Sequence, residues 1–369
     1  MRKLPVAWRD AAPLRLGAAT LAAMLVVGAC SHAPPADFAP DPGLVAQIRD
    51  IRIITGYSRA CPGATIPASY EAVLADGSRV LFARSYDKDH PPRLHVVFLD
   101  RTSPEAWTQE GGDWVTERDP LATVTTGFRL TATLRAKPSA TSTVVIPPYY
   151  GCMPHAFTFT GEAGGTGQPG GNGPDVTVRL AVLHSPFYDK LFVAGIEVGV
   201  APPFYVLGDA VTVAQASWLS IESRGGKGGA GVPGTPGTDG SAGGTGGNGG
   251  PGGTGGRGGR LSVIVPVDEP LLAAIVNARS LGGAGGAGGA GGAGGRGGRG
   301  GQGGMDATNR RCPDAAEGAP GRAGNASVAG AEGAPGGQSL VVTAPTKDIF
   351  GVQVPAGLGA LLERLQRRP

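Results

Sequence analysis

GGKGGAGVPGTPGTDGSAGGTGGNGGPGGTGGRGGR, residues Gly225 to Arg260, has glycine at every third position without a break. A second tract, Gly282 to Met305, reads GGA four times and continues GGR, GGR, GGQ and GGM. A three-residue period fits an extended left-handed helix of the polyproline II type, which has no internal hydrogen bonds. Its backbone groups must therefore pair with neighbouring strands or with water. The repeat predicts an assembled scaffold.

Three structures compete for such a repeat. A collagen triple helix needs glycine only at the axis and favours proline elsewhere, whereas a polyglycine II bundle packs helices side by side. A GGX triplet clears two of three ridges of side chains, and 8 of the 12 triplets in the first tract and all 8 in the second are GGX. Because glycine costs the most chain entropy, two cleared ridges need a packing reason. The count favours polyglycine II-type arms over a collagen triple helix and over a disordered linker.

Strand-like segments separate the glycine tracts, which predicts a mainly β protein without long helices: a small N-terminal β-sandwich or barrel and a β-base that carries the arms. We expect the two longer arm pairs to reverse within 232–242 and 306–317. The period breaks again at Ser327, which we interpret as a slip. The expected organisation is a signal peptide at 1–29, a Pro-rich tether at 30–43, a β domain at 44–160, the glycine-rich domain at 161–350 and a short C-terminal helix at 351–369.

Alternation of apolar residues predicts individual strands. Tyr70, Ala72 and Leu74 alternate before an Asp76-Gly77 turn, which predicts a hairpin. The other alternating or apolar strand segments are Leu94 to Leu99, Leu130 to Leu134, Val144 to Ile146, Val176 to Val182, Leu261 to Val265 and Leu340 to Val342. Leu271 to Val276 is expected to form a short helical turn.

The N-terminus predicts export. A basic start precedes the apolar stretch Leu16 to Val27, which is typical of a secretory signal. The following Val27-Gly28-Ala29-Cys30 resembles the lipobox of bacterial lipoproteins. That resemblance implies cleavage before Cys30, a diacylglycerol and an acyl chain on this residue, and, with Ser31 next, delivery to the outer membrane; an ordinary signal peptide is the alternative. Without residues 1–29 the chain carries 28 basic and 28 acidic residues. This balance disfavours a general attraction to nucleic acid.

The remaining cysteines have different expected states. Cys61 and Cys152 each lie beside a turn signal, and an oxidising envelope would allow a disulfide between them. Cys312 is left over, either free or paired between chains. No cysteine pair has metal-ligand spacing, so we expect no metal site.

No catalytic motif is recognisable, and we expect no enzymatic activity and no cofactor. Arginines in GGR triplets resemble the RGG boxes that bind RNA, but the export signal and the absence of aromatic residues in the tracts disfavour nucleic acid. The tracts contain more basic than acidic residues, which suggests a site for an acidic envelope polysaccharide. Its candidate residues are Lys227, Arg257, Arg260, Arg296 and Arg299.

The region Gly225 to Thr346 resembles the N-terminal glycine-rich domain of the Obg GTPases. The shared order is a glycine-rich arm, the strand in RLSVIVPVDEP, further glycine arms, and the strand in GGQSLVVTAP. The resemblance implies a small β-base from which polyglycine-type helices project. The GTPase domain has no counterpart, because no GxxxxGK[ST] occurs, so the resemblance implies no nucleotide chemistry.

Together these features predict a non-enzymatic, lipid-anchored envelope protein with a structural or adhesive role. The chain resembles the glycine-rich, collagen-like lipoproteins of bacterial envelopes. Its expected contacts are the membrane, through the lipid, and envelope polysaccharide or surface proteins. The alternatives are a trimeric collagen-like stalk, an enzyme within the N-terminal β domain, or an RNA binder.

Overall fold

The computed structural model describes residues 34–212 and 218–351, together with Leu358 and Leu361. The protein is mainly β, as predicted, and α-helical residues in this part are confined to Pro42–Gln47, Leu358 and Leu361. The strands of the N-terminal body are β1 Ile48–Thr55, β2 Thr65–Ile66, β3 Ala68–Leu74, β4 Arg79–Leu81, β5 Leu99–Thr102, β6 Ala106–Thr108, β7 Trp114–Thr116, β8 Phe128–Leu134 and β9 Lys137–Ile146. Those of the base are β10 Ala156–Thr160, β11 Val176–Leu183, β12 Leu191–Val198, β13 Phe204–Asp209, β14 Leu219–Arg224, β15 Leu261–Pro266, β16 Val276–Leu281 and β17 Leu340–Ala344. Short 3-10 turns span Val96–Phe98, Pro120–Thr123, Pro270–Ile275 and Thr346–Asp348. The strand predicted at Leu94 to Leu99 was wrong, because the His95 side chain accepts a hydrogen bond from Val97 N and begins a 3-10 turn, and β5 starts only at Leu99.

The N-terminal body consists of three small antiparallel sheets around one core. Their strand orders are β1-β3-β4, β2-β7-β6 and β5-β8-β9, and β1 also lies against β9. The predicted hairpin between β3 and β4 is confirmed, with Gly77 at a φ of 84°. Tyr70 and Trp114 are fully buried at the centre, and Trp114 Nε1 donates to Tyr70 Oη at 2.7 Å. This bond satisfies a polar group that burial would otherwise leave unpaired.

The tether and the first domain boundary differ from the prediction. Phe38 packs edge-on against Tyr86, with ring centroids 4.9 Å apart, and also contacts Phe98. The chain is therefore attached to the body before residue 43. At the other end, β10 pairs with β14 and belongs to the base. The boundary thus lies before β10 and not at Thr160, because a strand belongs to the sheet that satisfies its backbone.

A disulfide joins Cys61 to Cys152, with Cα atoms 6.3 Å apart. It links residues 91 positions apart, close to the point where Ala60 N donates to the carbonyl of Pro147 at 3.0 Å. In the chain-entropy description, closing a loop of this length lowers the entropy of the unfolded chain and so stabilises the fold by about 4–5 kcal/mol. Cys312 is exposed and free.

The base is a sandwich of two sheets. One has the order β13-β12-β11-β15-β17, and the other is the parallel sheet β10-β14-β16. Apolar side chains such as Val178, Ile221 and Val263 fill the space between the sheets. The predicted turn at Leu271 to Val276 is a 3-10 turn at Pro270–Ile275, but Val276 begins β16, a strand that the sequence did not predict.

The outer face of the five-stranded sheet packs on the N-terminal body. Leu121 and Tyr150 from that body share a buried cluster with Leu183 and Leu207 of the base. Leu358 and Leu361 complete the same cluster. The rest of the predicted helix at 351–369, apart from Gly351, lies outside the described residues.

Six glycine-rich arms extend from this base, and we call them together the blade. Arms 1 to 6 are residues 161–166, 168–174, 225–240, 243–260, 282–304 and 312–336. Arms 1, 3 and 5 continue directly from β10, β14 and β16, and we call them the outgoing layer. Arms 2, 4 and 6 lead back into β11, β15 and β17 and form the returning layer. The parallel strand orders β10-β14-β16 and β11-β15-β17 therefore set the order of the arms in the two layers.

Candidate functional site: the glycine blade

Hydrogen bonds between parallel arms hold each layer together. In the outgoing layer, Gly228 of arm 3 donates to the Ala284 carbonyl of arm 5 at 2.8 Å, and the contact repeats every third residue up to Gly240. In the returning layer, Gly246 of arm 4 donates to the Arg322 carbonyl of arm 6 at 2.9 Å. A bond at every third residue is what a helix with three residues per turn offers to a neighbour.

A second set of bonds joins the two layers, whose arms run antiparallel. Gly247 of arm 4 donates to the Thr235 carbonyl of arm 3 at 2.8 Å. Gly286 of arm 5 donates to the Gly253 carbonyl of arm 4 at 2.8 Å, and its own carbonyl accepts from Gly330 of arm 6 at 2.8 Å. Each inner arm therefore contacts neighbours on several sides, which is the arrangement that the GGX repeat predicts.

Glycine occurs where a neighbouring backbone leaves no room for a side chain. A Cβ at Gly324 would overlap the carbonyl oxygen of Gly247, and one at Gly246 would overlap that of Gly292. Arm 3 shows the rule most clearly. Its second triplet position is glycine at Gly226 and Gly229, where a Cβ would overlap carbonyl oxygens of arm 1, but becomes Val232 and then a threonine beyond the length of arm 1.

The arms have stepped lengths. Arms 1 and 2 reverse near Gly167, which has a φ of 68°. Arms 3 and 4 reverse near Gly240, inside the expected segment 232–242, and arms 5 and 6 reverse where Asp306 donates to the Arg310 carbonyl at 2.8 Å. At about 3.1 Å per residue, arm 5 has a length of about 70 Å. The blade therefore ends in a tip made of arms 5 and 6 alone.

The exposed side chains of the arms differ in chemistry. Each third triplet position carries a solvent-exposed side chain. On the outgoing layer these rows contain mostly alanine and proline: Ala230, Pro233, Pro236, Ala284, Ala287, Ala290 and Ala293. Arm 4 of the returning layer presents a more polar row: Thr245, Asn248, Pro251, Thr254 and Arg257. Arm 6 of the same layer again carries alanine and proline: Pro320, Ala323, Ala326 and Ala329. The hydrogen-bonding row is thus a property of arm 4 and not of a whole face.

Asparagine and aspartate side chains pair with amides of non-glycine residues in a neighbouring arm. Asn172 Oδ1 accepts from Arg257 N at 3.1 Å, and Asn248 Oδ1 accepts from Asn325 N at 2.9 Å. Asp239 Oδ1 does the same for Arg296 N at 2.6 Å. The triplet composition did not predict this role. The available signal was an Asn or Asp at the third position of a triplet.

The five basic residues predicted to bind a polyanion do not form one patch. Lys227 lies near the base on the outgoing face, and Arg296 and Arg299 lie on that face toward the tip. Along the blade, Arg296 lies four triplets farther from the base than Lys227, which is a distance of about 37 Å. Arg257 and Arg260 lie on the opposite, returning face, near the base. Within each arginine pair the two residues are one triplet apart on the same arm, and the structure places the two pairs on opposite faces.

At the tip, two glycines occupy positions where the described chain leaves room for a side chain. A Cβ at Gly301 or Gly304 would meet nothing within 4 Å, whereas one at Gly303 would overlap the carbonyl of Cys312. The exposed Cys312 belongs to the reversal of arms 5 and 6, and its amide donates to the Gly304 carbonyl at 2.7 Å.

A charged cleft lies at the opposite end of the base, outside the carboxyl ends of β11, β15 and β17. Its lining includes His184, Asp268, Glu269 and Lys347. Partial burial raises the pKa of Glu269 above its ordinary value, and the charges of Lys190 and His184 oppose this shift. Across 34–212 and 218–351, no three His, Cys, Asp or Glu side chains come together as a metal site would require.

Comparison of the chain with known protein families, with curated proteins and with solved structures finds no match. The described part of the chain contains no helix long and apolar enough to cross a bilayer. The signal segment and Cys30 lie outside the described residues.

Proposed function

We propose that this protein is a non-enzymatic, lipid-anchored envelope protein whose blade acts as a stiff spacer or adhesive surface. The observation that carries the proposal is the hydrogen-bonded packing of six arms from one chain. Because every third amide of arms 3, 4 and 6 already donates within the chain, the arms support one another and need no partner chain to become ordered. A long blade with few large side chains offers an extended surface for contact rather than a deep binding cavity.

The same packing disfavours the trimeric collagen-like stalk as the alternative. A collagen helix requires each glycine to face an axis shared by three chains. Here the equivalent glycines face neighbouring arms of the same chain, as Gly324 faces Gly247 and Gly253 faces Gln168. The arrangement is the one implied by the resemblance to the Obg glycine-rich domain, which we retain as a proposal about fold only.

Anchoring can be tested by metabolic labelling with radioactive palmitate. We expect label on the native chain and none on the Cys30→Ser variant, because the thiol and the new amine of Cys30 are the proposed attachment points. A native chain that matures without label would overturn the lipid anchor while leaving the blade intact.

Adhesion can be tested with purified envelope polysaccharide. We expect retention of the native chain, and weaker retention when Arg296 and Arg299 are replaced by serine. The matched control replaces Arg257 and Arg260 by serine, which removes the same charge from the opposite face. Equal retention of all three proteins would exclude arginine-mediated glycan binding, and equal loss in both variants would assign it to net charge rather than to one face.

A further inference from the structure

The outer edge of the five-stranded sheet carries apolar side chains that nothing in the described chain covers. This edge is β17, which pairs only with β15 among the described strands. Its residues Leu340, Val341 and Val342 are 61, 52 and 39% exposed. Three consecutive large aliphatic residues in a strand with one open edge leave both apolar area and backbone hydrogen-bonding groups in water.

The strand at the opposite edge of the same sheet, β13, exposes less apolar side-chain area. Its Val206 and Leu207 are buried, and Tyr205 packs against Phe350 with ring centroids 6.0 Å apart. Proteins usually protect an open edge with lysine, proline or a bulge. The sequence of β17, LVVTA, contains no charged residue and no proline, and its register with β15 is unbroken. The two edge strands of this sheet therefore differ in side-chain exposure, and β17 is the more apolar surface.

The sequence of β17 is complementary to itself in the antiparallel direction. Pairing centred on Val341 would place Leu340 opposite Val342 of the other strand, and Val341 opposite its own copy. Aliphatic cross-strand pairs stabilise a sheet, and no like charges would face each other. Such a contact is isologous, with a two-fold axis, so it closes with two copies.

We propose that β17 joins two copies of this chain, continuing the five-stranded sheet across a two-fold axis into one sheet of ten strands. The existing parallel pair of β15 and β17 would become the inner part of that larger sheet. The contact does not involve the arms, so the dimer is independent of what the blade binds.

Sedimentation velocity of the full chain in a density-matched detergent tests the proposal. We expect a monomer–dimer equilibrium that shifts with protein concentration. Val341→Lys would place two lysines face to face on the two-fold axis and should weaken the dimer by about tenfold. Leu340→Lys, at the most exposed of the three positions, is the second variant, since it removes little buried area from the monomer.

The matched control is Val145→Lys, a similarly exposed valine of β9 that is 47% accessible. It should leave the dimer unchanged. A native chain that stays monomeric at all concentrations, a trimer, or a dimer insensitive to both lysine variants would each overturn the proposal. Hydrogen exchange of the arms in the same samples reports on the blade separately, so failure of the dimer and failure of the scaffold are distinguishable.

Discussion

The backbone N–H of Ser327 donates to the carbonyl of Gly289 at 2.9 Å, in the same ladder in which Gly324 donates to Gly292 and Gly330 to Gly286 at 2.8 Å each. Ser327 therefore occupies a glycine position in register. The interpretation of this residue as a slip was wrong: the period is kept, and one glycine is substituted.

Substitution of glycine by alanine should have opposite consequences at two positions of one tract pair. Gly324→Ala should lower the free energy of unfolding by about 1–3 kcal/mol, because its Cβ would overlap the carbonyl of Gly247 and force the arms apart. Gly301→Ala should leave stability unchanged or raise it by up to about 1 kcal/mol, because its site is open and alanine restricts the unfolded chain.

Thermal or denaturant unfolding of the two variants beside the native chain measures both effects. Equal destabilisation by the two substitutions would contradict the steric role assigned to the arm glycines. A loss only at Gly301 would mean that the tip is packed differently.

The triplet composition was sufficient to predict arms, reversals and the exposure of third-position side chains. It did not predict which arm lies beside which, because the glycine ridges of arms 3, 4 and 5 are chemically alike. That order comes from the base, where β10, β14 and β16 pair in parallel. β16, VNARSL, lacks a continuous apolar pattern, so the strand that fixes the place of arm 5 is the one that sequence periodicity does not show.

The sequence predicted only part of the candidate site, because the rest again depends on the topology of the base. Composition identified Lys227 and the arginines as the prominent side chains of the tracts, but not the face on which each lies. A residue's face depends on whether its arm leaves or returns, which requires the topology. The change from Gly229 to Val232 marks the end of arm 1 alongside arm 3, and this signal was present in the sequence.

Amide hydrogen exchange along arm 4 should follow the triplet. Gly252 donates to the Val328 carbonyl at 3.1 Å and Gly253 to the Gly229 carbonyl at 2.8 Å, so both amides should exchange slowly. The amide of Thr254, at the exposed third position, should exchange much faster. Exchange resolved by residue in NMR spectra checks this pattern, and uniformly fast exchange along the arm would refute the blade.

Asn172→Ala supplies a local test of the side-chain contacts. The variant removes the acceptor of the Arg257 amide, so exchange at Arg257 should accelerate. Exchange at Gly256, which donates to the Gly226 carbonyl at 2.8 Å, should stay slow. Acceleration at both positions would indicate that the arm has separated from its neighbours rather than lost one bond.

Tyr70→Phe should destabilise the N-terminal body. The hydroxyl of Tyr70 donates to the Gly112 carbonyl at 2.6 Å and accepts from Trp114 Nε1 at 2.7 Å. Its removal leaves two buried polar groups unpaired, which we expect to cost about 1–3 kcal/mol. Chemical denaturation measures the loss, with the exposed Tyr57→Phe as control. A change no larger than that of the control would show that the buried groups find other partners.

His95 should make the N-terminal body sensitive to acid. The residue is 5% exposed, and Nδ1 accepts from Val97 N at 3.1 Å. Burial lowers the pKa of His95 below the ordinary value of 6.5, an effect only partly opposed by a hydrogen bond with the Arg84 backbone. A depressed folded-state pKa means that the unfolded chain binds the proton first. The stabilisation is therefore complete above pH 6.5 and is lost as the pH falls through the folded-state pKa.

His95→Asn keeps an acceptor for the Val97 amide but cannot titrate, so the unfolding temperature of this variant should fall less between neutral and mildly acidic pH than that of the native chain. His90→Asn is the matched control, because His90 has a side chain that is 88% exposed. Unfolding curves recorded through this range decide the matter. If the native chain and His95→Asn lose stability in parallel, the acid sensitivity belongs to carboxylates, and His95 does not titrate on unfolding.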